Sequence, residues 1–197
     1  MIIYFRPMRV KDELKQEAVI EATVKLVNET GFVSSSVAKI AKEARVSPAT
    51  IYIYYKNKED LLVSTYIEIK HKLSKALLEN FDETLPIRDI LKNFWHNAFD
   101  FARKNPDFIK FTEQFSNSPF SDLVDKAEVE KYFLPMLSVL QRGIEQKIIK
   151  DVHYEMLGAF IFFPVMILSN PRLCTDIKLN EETIEQAFTL AWDAIKL

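Results

Sequence analysis

The chain has 197 residues, enough for one domain of ordinary size or for a small domain fused to a larger one. Its hydrophobic content of 48% supports a substantial core, and its 3 glycines and scarce alternating β-branched runs favour an all-α fold. The net charge of −2 gives no global sign of nucleic-acid binding. The one cysteine, Cys174, excludes an internal disulfide framework and fits a reducing, cytoplasmic location.

Charge is distributed unevenly along the chain. Residues 1–72 contain 12 Lys and Arg against 9 Asp and Glu, whereas the remainder contains 14 against 19. A mildly basic front and an acidic rear fit a DNA-binding head attached to a body that does not contact the duplex.

Two apolar stretches are too short for export or membrane insertion. Residues 1–5 lack the length and the charged leader of a signal peptide, and Met8 offers an alternative start. Residues 156–168 are interrupted by Pro164 and fall short of the ~20 residues that span a bilayer. No membrane partner is therefore expected.

The first helix is predicted over residues 11–30, and Gly31 stops it just beyond its C-terminus. Phe32 is expected to fill the core of a three-helix head. Ser36 is the expected cap of the second helix, and its hydroxyl either serves as a cap alone or also binds a phosphate.

Residues 37–58 predict two short helices separated by a tight turn. The first has an apolar face at Val37, Ile40, Ala41 and Ala44. Ser47 offers a capping oxygen to the second helix, and Pro48 suits its first position. This layout predicts a helix-turn-helix, although the same spacing would suit two core helices of a small bundle.

The sequence resembles the DNA-binding domain of TetR-family transcriptional regulators over roughly residues 10–62. The likeness is carried by GFVSSSV at 31–37, IAKEA at 40–44 and VSPATIYIYYKNKEDLL at 46–62. Arg45 departs from the family pattern, because the turn there usually carries glycine. A non-glycine residue at positive φ costs roughly 1 kcal/mol, so the turn either tolerates that cost or has a slightly different backbone.

The resemblance implies which side chains meet DNA. Thr50 and Tyr54 would face the duplex, and Lys58 would bind phosphate, while Tyr52 either contacts DNA or packs partly into the core. The predicted DNA-binding set is Ser36, Ser47, Pro48, Ala49, Thr50, Tyr52, Tyr54 and Lys58. Because the helix has no Arg or Gln for bidentate base contacts, readout is expected to use hydroxyls, apolar contacts and DNA shape.

A long fourth helix is predicted from about residue 57 to residue 81, with no flexible linker between head and body. The predicted domains are a helix-turn-helix DNA-binding domain over residues 1–56 and a helical ligand-binding and dimerisation domain over residues 57–197. Helices separated by prolines follow, including one over residues 153–169 and a last one capped by Asn180.

Large aromatic rings from several helices of the body form either plain core or a ligand cavity. The TetR resemblance favours a cavity, because such regulators bind a small inducer in this domain. The predicted ligand-binding residues are Trp95, Phe99, Phe111, Phe115, Tyr132, Met136 and Phe163. Few polar groups lie among them, so the effector is expected to be apolar or neutral, and no cofactor is expected.

The last two helices are more apolar than one inward face requires, which indicates a partner surface. The resemblance implies that they pair with their two-fold mates in a four-helix bundle. Such a homodimer matches a palindromic operator whose half-sites lie about one DNA turn, 34–36 Å, apart, or a multiple of it. The predicted dimerisation residues are Phe160, Pro164, Phe188 and Trp192.

The leading hypothesis is therefore a homodimeric, ligand-responsive repressor of a double-stranded DNA operator. An enzyme is disfavoured, because the three histidines (His71, His96 and His153) lack metal-ligand spacing and no phosphate loop or nucleophile elbow occurs. The alternative is a hydrophobic-ligand-binding module without sequence-specific DNA binding. The sequence leaves repression and activation open.

Overall fold

The computed structural model describes residues 7–170 and 172–197, and within them it is all-helical, as predicted. An isolated antiparallel bridge joins Ile149 to Lys196. The N-terminal stretch in which no signal peptide is predicted lies outside the described residues. The α-helices are α1 (Pro7–Ser34), α2 (Val37–Glu43), α3 (Pro48–Tyr54), α4 (Lys58–Leu77), α5 (Ile87–Lys104), α6 (Pro106–Ser116), α7 (Lys126–Glu145), α8 (Tyr154–Ile161), α9 (Phe163–Leu168) and α10 (Glu181–Ile195), with a 3₁₀ helix at Pro119–Leu123.

Gly31 breaks the end of α1, as predicted. It has φ 78° and ψ 170°, outside the helical region. A Cβ at this position would meet no atom within 4 Å, so the positive φ rather than a lack of space favours glycine. The Ser35 hydroxyl donates to the Gly31 carbonyl at 2.7 Å and satisfies an acceptor at the helix end.

The described chain forms two compact units, and neither is one continuous segment. The first unit, here called the head, holds α1–α3, α4 up to Ile69, and residues 107–124. The second, here called the body, holds residues 70–106 and 125–197. The head therefore extends beyond the predicted limit at residue 56 and includes nearly all of α6 and the 3₁₀ helix.

Two apolar clusters form the core of the head. One joins α1 to α2, α3 and the start of α4, and its buried members are Val19, Ala22, Ile40, Ala41, Ile51, Tyr55 and Leu61. The other joins α1 and α4 to α6, and its buried members are Val24, Val27, Leu62, Ile69, Phe111 and Phe115. Phe32 packs against this second cluster, with its ring 6.1 Å from Phe111 and 5.3 Å from Phe120. Its neighbours thus come from α6 and the 3₁₀ helix.

A polar clasp holds α6 to α1 inside the head. The Asn28 amide nitrogen donates to the Asp107 carbonyl at 2.9 Å, and its amide oxygen accepts from Gln114 at 2.8 Å. Lys110 Nζ donates to the Asn28 backbone carbonyl at 2.8 Å. One residue of α1 therefore engages three residues along α6.

The body has a single large apolar cluster centred on α5. Trp95 and Phe94 are almost fully buried, and the Trp95 ring lies 5.6 Å from Phe99 and 5.8 Å from Phe188. Helices α5, α7, α8, α9 and α10 all contribute buried residues to this cluster. No helix among the described residues is long and apolar enough to cross a membrane.

The segment predicted as one helix over residues 153–169 forms two short helices. α8 and α9 meet at Phe162, which has φ −111° and ψ −35°. Pro164 explains the break, because it lacks the N–H that would continue the ladder and its ring clashes with the carbonyl four residues earlier. The same residue suits the first turn of the new helix α9.

Candidate nucleic-acid interface and body surfaces

Two serines begin the helices of the helix-turn-helix, as predicted. Ser36 Oγ accepts from Lys39 N at 3.3 Å, and Ser47 Oγ accepts from Thr50 N at 3.1 Å. Between these caps Arg45 has φ 56°. Arg45 therefore adopts the left-handed backbone region that usually favours glycine, and the turn tolerates a strain of roughly 1 kcal/mol.

Helix α3 has an inner and an outer face. Ile51 is 1% exposed and Tyr55 is 8% exposed, so both turn toward the head core, as the resemblance implied. Tyr52 is 56% exposed and therefore does not pack into the core. The outward residues of the helix are Pro48, Ala49, Tyr52 and Ile53.

Thr50 and Tyr54 use their hydroxyls inside the head. The Thr50 hydroxyl lies 2.9 Å from Ser47 Oγ, and the Tyr54 hydroxyl donates to Asp12 at 3.2 Å. Desolvation, followed by the charge and hydrogen bond of Asp12, raises the pKa of Tyr54. Both side chains are half-buried, so the duplex-facing role predicted for them requires a second, simultaneous hydrogen bond.

Lys58, the predicted phosphate ligand, also has a structural contact. Its ammonium donates to the Phe32 carbonyl at 2.5 Å and lies 3.5 Å from the Val33 carbonyl, just beyond the break at Gly31. An ammonium carries three donors, so this contact leaves hydrogen-bonding capacity for a phosphate oxygen. Lys58 therefore links the start of α4 to the end of α1.

Sequence reasoning missed Ile53, which is 76% exposed on the outer face of α3. The available signal was its position, since Ile53 lies four residues after Ala49 and therefore on the same helical face. Basic residues dominate this part of the chain, because residues 36–58 contain five Lys or Arg and one acidic residue. The exposed apolar groups of α3 thus lie within a stretch of sequence that is net positive.

The residues predicted to bind a ligand do not all belong to one unit of the chain. Trp95 and Phe99 are buried in the body cluster, and Met136 packs against it. Tyr132, also in the body, stacks on His71 with ring centroids 4.6 Å apart. Phe111 and Phe115 belong to the second cluster of the head, and Phe163 is 62% exposed. The set is divided because α6 joins the head, which helical periodicity does not reveal.

Trp95 carries a buried polar atom without a partner. Among the described residues, its indole N–H and the Thr112 hydroxyl are the buried side-chain atoms for which no hydrogen bond is found. An unsatisfied buried donor costs roughly 1–3 kcal/mol, so an acceptor brought by a ligand would be favourable there. Trp95 lies in the body, whereas Thr112 lies in the head.

The predicted dimerisation residues fall on two sides of the last helices. Phe160 is 57% exposed and, with Pro164, lines an open groove of about 770 Å³. Phe188 is 0% exposed and Trp192 is 8% exposed, so these two side chains belong to the body core and not to the surface. Periodicity located the apolar residues of α10 but not the side that faces inward. The exposed apolar residues along the groove are Phe160, Ile167, Ile177 and Leu190.

A capped α2, a tight turn and an α3 with an exposed outer face define a helix-turn-helix DNA-binding protein. Residues 19–65 match the family described as bacterial regulatory proteins, tetR family. Residues 86–196 match the tetracyclin repressor-like C-terminal domain. The chain belongs to the TetR family of transcriptional regulators, and it is a regulator rather than an enzyme.

Similar proteins cover almost the whole chain. A TetR-family transcription regulator from Marinobacter aquaeolei is 34% identical, has a TM-score of 0.87, and aligns over 96% of this chain and 99% of its own. An HTH-type transcriptional regulator of Haemophilus influenzae is 26% identical over 91% of this chain and 95% of its own length. The fatty acid metabolism regulator protein of Bacillus subtilis is 30% identical over 70% of this chain and 72% of its own length. A structure of the transcriptional regulator FadR from Bacillus subtilis in complex with stearoyl-CoA is 25% identical, has a TM-score of 0.73, and aligns over 91% of this chain and 98% of that one.

Proposed function

We propose that this chain is a homodimeric repressor that binds a palindromic operator and is released by an effector with an apolar portion. The observation that carries the DNA-binding part is the outer face of α3. It exposes Ala49, Tyr52 and Ile53 within a stretch that holds five basic residues and one acidic residue. A positive setting of this kind favours a polyanion such as duplex DNA.

The predicted DNA contacts take different roles in this proposal. Tyr52 presents an exposed hydroxyl to a base edge or phosphate, and Pro48 and Ala49 allow close approach of the backbone. Lys58 binds a phosphate oxygen while it holds the end of α1. The hydroxyls of Ser36, Ser47 and Thr50 accept or donate second hydrogen bonds at the rim of the contact.

The groove beside α9 and α10 is the proposed surface for a second copy of the chain. Leu190 is 74% exposed and Ile167 is 51% exposed, and contiguous apolar surface of this kind marks a partner site. A two-fold dimer would bring the same groove from each protomer together. It would also provide the two α3 helices that a palindromic operator needs.

The effector is proposed to bury an apolar chain or ring in the body, near Trp95, Phe99 and Met136. These residues share one apolar cluster, and the unpartnered Trp95 N–H would donate to an acceptor on the effector. The Bacillus subtilis relative is known in complex with stearoyl-CoA, a molecule with a long apolar chain. That likeness makes acyl compounds the first candidates for testing, and it widens the predicted effector from an apolar or neutral molecule to a charged one with an apolar chain.

Helix α4 is the proposed route between effector and DNA. It contributes residues up to Ile69 to the head and the remainder to the body, without interruption. An effector that favours one position of α4 over another would change the spacing of the two heads in a dimer. Release then requires that the dimer with the DNA-competent spacing binds the effector more weakly than the dimer with the alternative spacing, because an effector with equal affinity for both would not shift the equilibrium.

Fluorescence anisotropy with the DNA upstream of the chain's own gene tests the DNA-binding part. We expect tight binding, and the logarithm of the association constant should fall steeply and linearly with the logarithm of salt concentration, because phosphate contacts release counterions. Tyr52→Ala should weaken binding to this DNA selectively, whereas Lys58→Ala should weaken binding to all sequences similarly. Leu134→Ala, an exposed site on α7, is the matched control. Binding of an apolar ligand with no preference among DNA sequences would instead support the binding-module alternative.

Thermal shift and DNA release test the effector. Stearic acid, stearoyl-CoA and free CoA are compared, so that the apolar chain and the charged group are separated. We expect the first two to raise the melting temperature and to release DNA, and Trp95→Phe to weaken both effects. Stabilisation by free CoA alone would contradict an apolar effector, and tighter DNA binding with ligand would contradict repression relieved by induction.

A further inference from the structure

The outer face of α3 has an unusual chemistry for a DNA-reading helix. Ile53, at 76% exposed, is the most exposed large hydrophobic residue on α3. The core of the head does not need it, because Ile51 and Tyr55 already fill the inner side of the helix at 1% and 8% exposed. A branched apolar side chain therefore lies on the exposed face of the helix, near its C-terminal end.

The polar groups of the same helix are largely committed within the head. Ser47 and Thr50 hydrogen-bond to each other at 2.9 Å, and the Tyr54 hydroxyl donates to Asp12 at 3.2 Å. Residues 47–55 contain no Arg, Lys, Asn, Gln, Asp or Glu. The helix therefore has no side chain that could make the bidentate hydrogen bonds by which guanine or adenine is identified in the major groove.

The major groove exposes one apolar group that marks a base, the 5-methyl of thymine. A branched aliphatic side chain buries that methyl and has no hydrogen bond to lose. Guanine, adenine and cytosine would instead place unpaired polar atoms against it, which costs affinity. Five basic residues in 36–58 supply the charge complementarity that brings a duplex to this face.

We propose that Ile53 is a specificity-determining residue that reads the 5-methyl group of a thymine in each half-site. This inference rests on the proposed DNA-binding function and names the base that α3 selects. Lys58 then provides affinity and register, Tyr52 adds its own base or phosphate contact, and Ile53 selects the thymine.

The test uses the full chain and begins with selection of binding sites from random duplexes. Each thymine in the selected half-site is then replaced by deoxyuridine, which lacks only the 5-methyl group. One thymine position in the half-site should depend on the methyl group. Replacing it in one half-site should lower affinity about fourfold, the factor that corresponds to burial of one methyl-sized group. Replacing it in both half-sites should lower affinity about fifteenfold. Ile53→Ala should bind the thymine and deoxyuridine duplexes equally.

Two controls separate this contact from a general loss of binding. Tyr52→Phe removes only a hydroxyl from α3 and leaves Ile53 in place, so it should retain the full dependence on the methyl group. Ile53→Ala changes an exposed residue, so its melting temperature should match that of the unchanged chain.

Three results would overturn the proposal. Deoxyuridine could have no effect at any position, or Ile53→Ala could remain as sensitive to it as the unchanged chain. Selection could also return half-sites determined by guanine. In each of these cases the chain still binds DNA, so the proposed function stands. Failure to enrich any sequence would instead reject DNA reading as a whole and this inference with it.

Discussion

The head and the body each expose apolar side chains, but in opposite electrostatic settings. Tyr52 and Ile53 on α3 lie in residues 36–58, which carry five basic residues and one acidic residue. The groove beside α9 and α10 lies in residues 160–197, which carry three basic and five acidic residues. Exposure alone does not distinguish these surfaces. The net charge of the sequence stretch that contains each surface does, because net positive charge favours a polyanion and net negative charge disfavours it.

The two cores also differ in how polar atoms are used. In the head, Asn28 clasps α6 through three hydrogen bonds, and the hydroxyls of Thr50 and Tyr54 on α3 are satisfied locally. In the body, the Trp95 N–H is buried among apolar rings without a partner. The head also contains a buried polar atom without a partner, the Thr112 hydroxyl, so the two cores differ in the clasp that the head has and in the indole donor that a ligand would satisfy in the body.

Charge placed in the groove beside α10 should produce the largest effect. We expect Leu190→Glu to convert the proposed dimer to a monomer, because a buried carboxylate from each copy would be placed in the proposed interface. Operator affinity should then fall about 10²–10⁴-fold through loss of the second binding event. Sedimentation velocity and anisotropy measure the two effects.

Leu134→Glu introduces the same charge at an exposed site of the body outside this groove, and it should leave both assembly and affinity unchanged. Dimers of Leu190→Glu at micromolar concentration would show that the groove serves another partner.

Removal of the clasp tests whether α6 stabilises the head. Asn28→Ala loses both side-chain hydrogen bonds and leaves the Asp107 carbonyl and the Gln114 amide without their partner. We expect a loss of about 2 kcal/mol in the free energy of unfolding, and a melting temperature lower by about 4–8 °C. Gln114→Ala loses one of these bonds and should cost about half as much. If Asn28→Ala were as stable as the unchanged chain, the hydrogen bonds of Asn28 would not stabilise the head.

Tyr55 gives the head a pH dependence in the alkaline range. Burial, with smaller contributions from Glu68 and Asp60, raises the pKa of Tyr55 from 10.0 to about 12. The folded state holds this proton more tightly than the unfolded state, so the stabilisation is complete below pH 10 and is lost as the pH rises through about 12.

Urea unfolding at several pH values, with Tyr55→Phe as the comparison, isolates this contribution. The unchanged chain should lose on the order of 1–2 kcal/mol more than Tyr55→Phe between pH 9 and pH 12. Parallel curves for the two proteins would mean that Tyr55 titrates normally.

The smallest expected effect is at the turn of the helix-turn-helix. Arg45 has φ 56°, so Arg45→Gly should relieve strain and raise the free energy of unfolding by about 1 kcal/mol. Differential scanning calorimetry should record a rise of about 2–4 °C. Arg45→Ala retains the strain and should give no such gain. A lower melting temperature for Arg45→Gly would mean that the extra conformational entropy of glycine in the unfolded chain outweighs the strain relieved in the turn.

Local signals in the sequence determined much of this protein. Ser36 and Ser47 cap α2 and α3, and Gly31 breaks α1, because these effects depend only on near neighbours along the chain. The family resemblance of residues 10–62 rests on the same local pattern. It was sufficient to predict the helix-turn-helix and the membership that the family matches show.

Tertiary structure alone decided which side of each helix is available. Periodicity identifies an apolar face but not its partner, so it could not show that Phe188 and Trp192 fill the body core while Leu190 remains exposed. It could not assign Phe111 and Phe115 to the head, because that depends on contacts of α6 with residues about 80 positions away, such as Asn28. Packing between distant segments decides these placements, and the site follows from them.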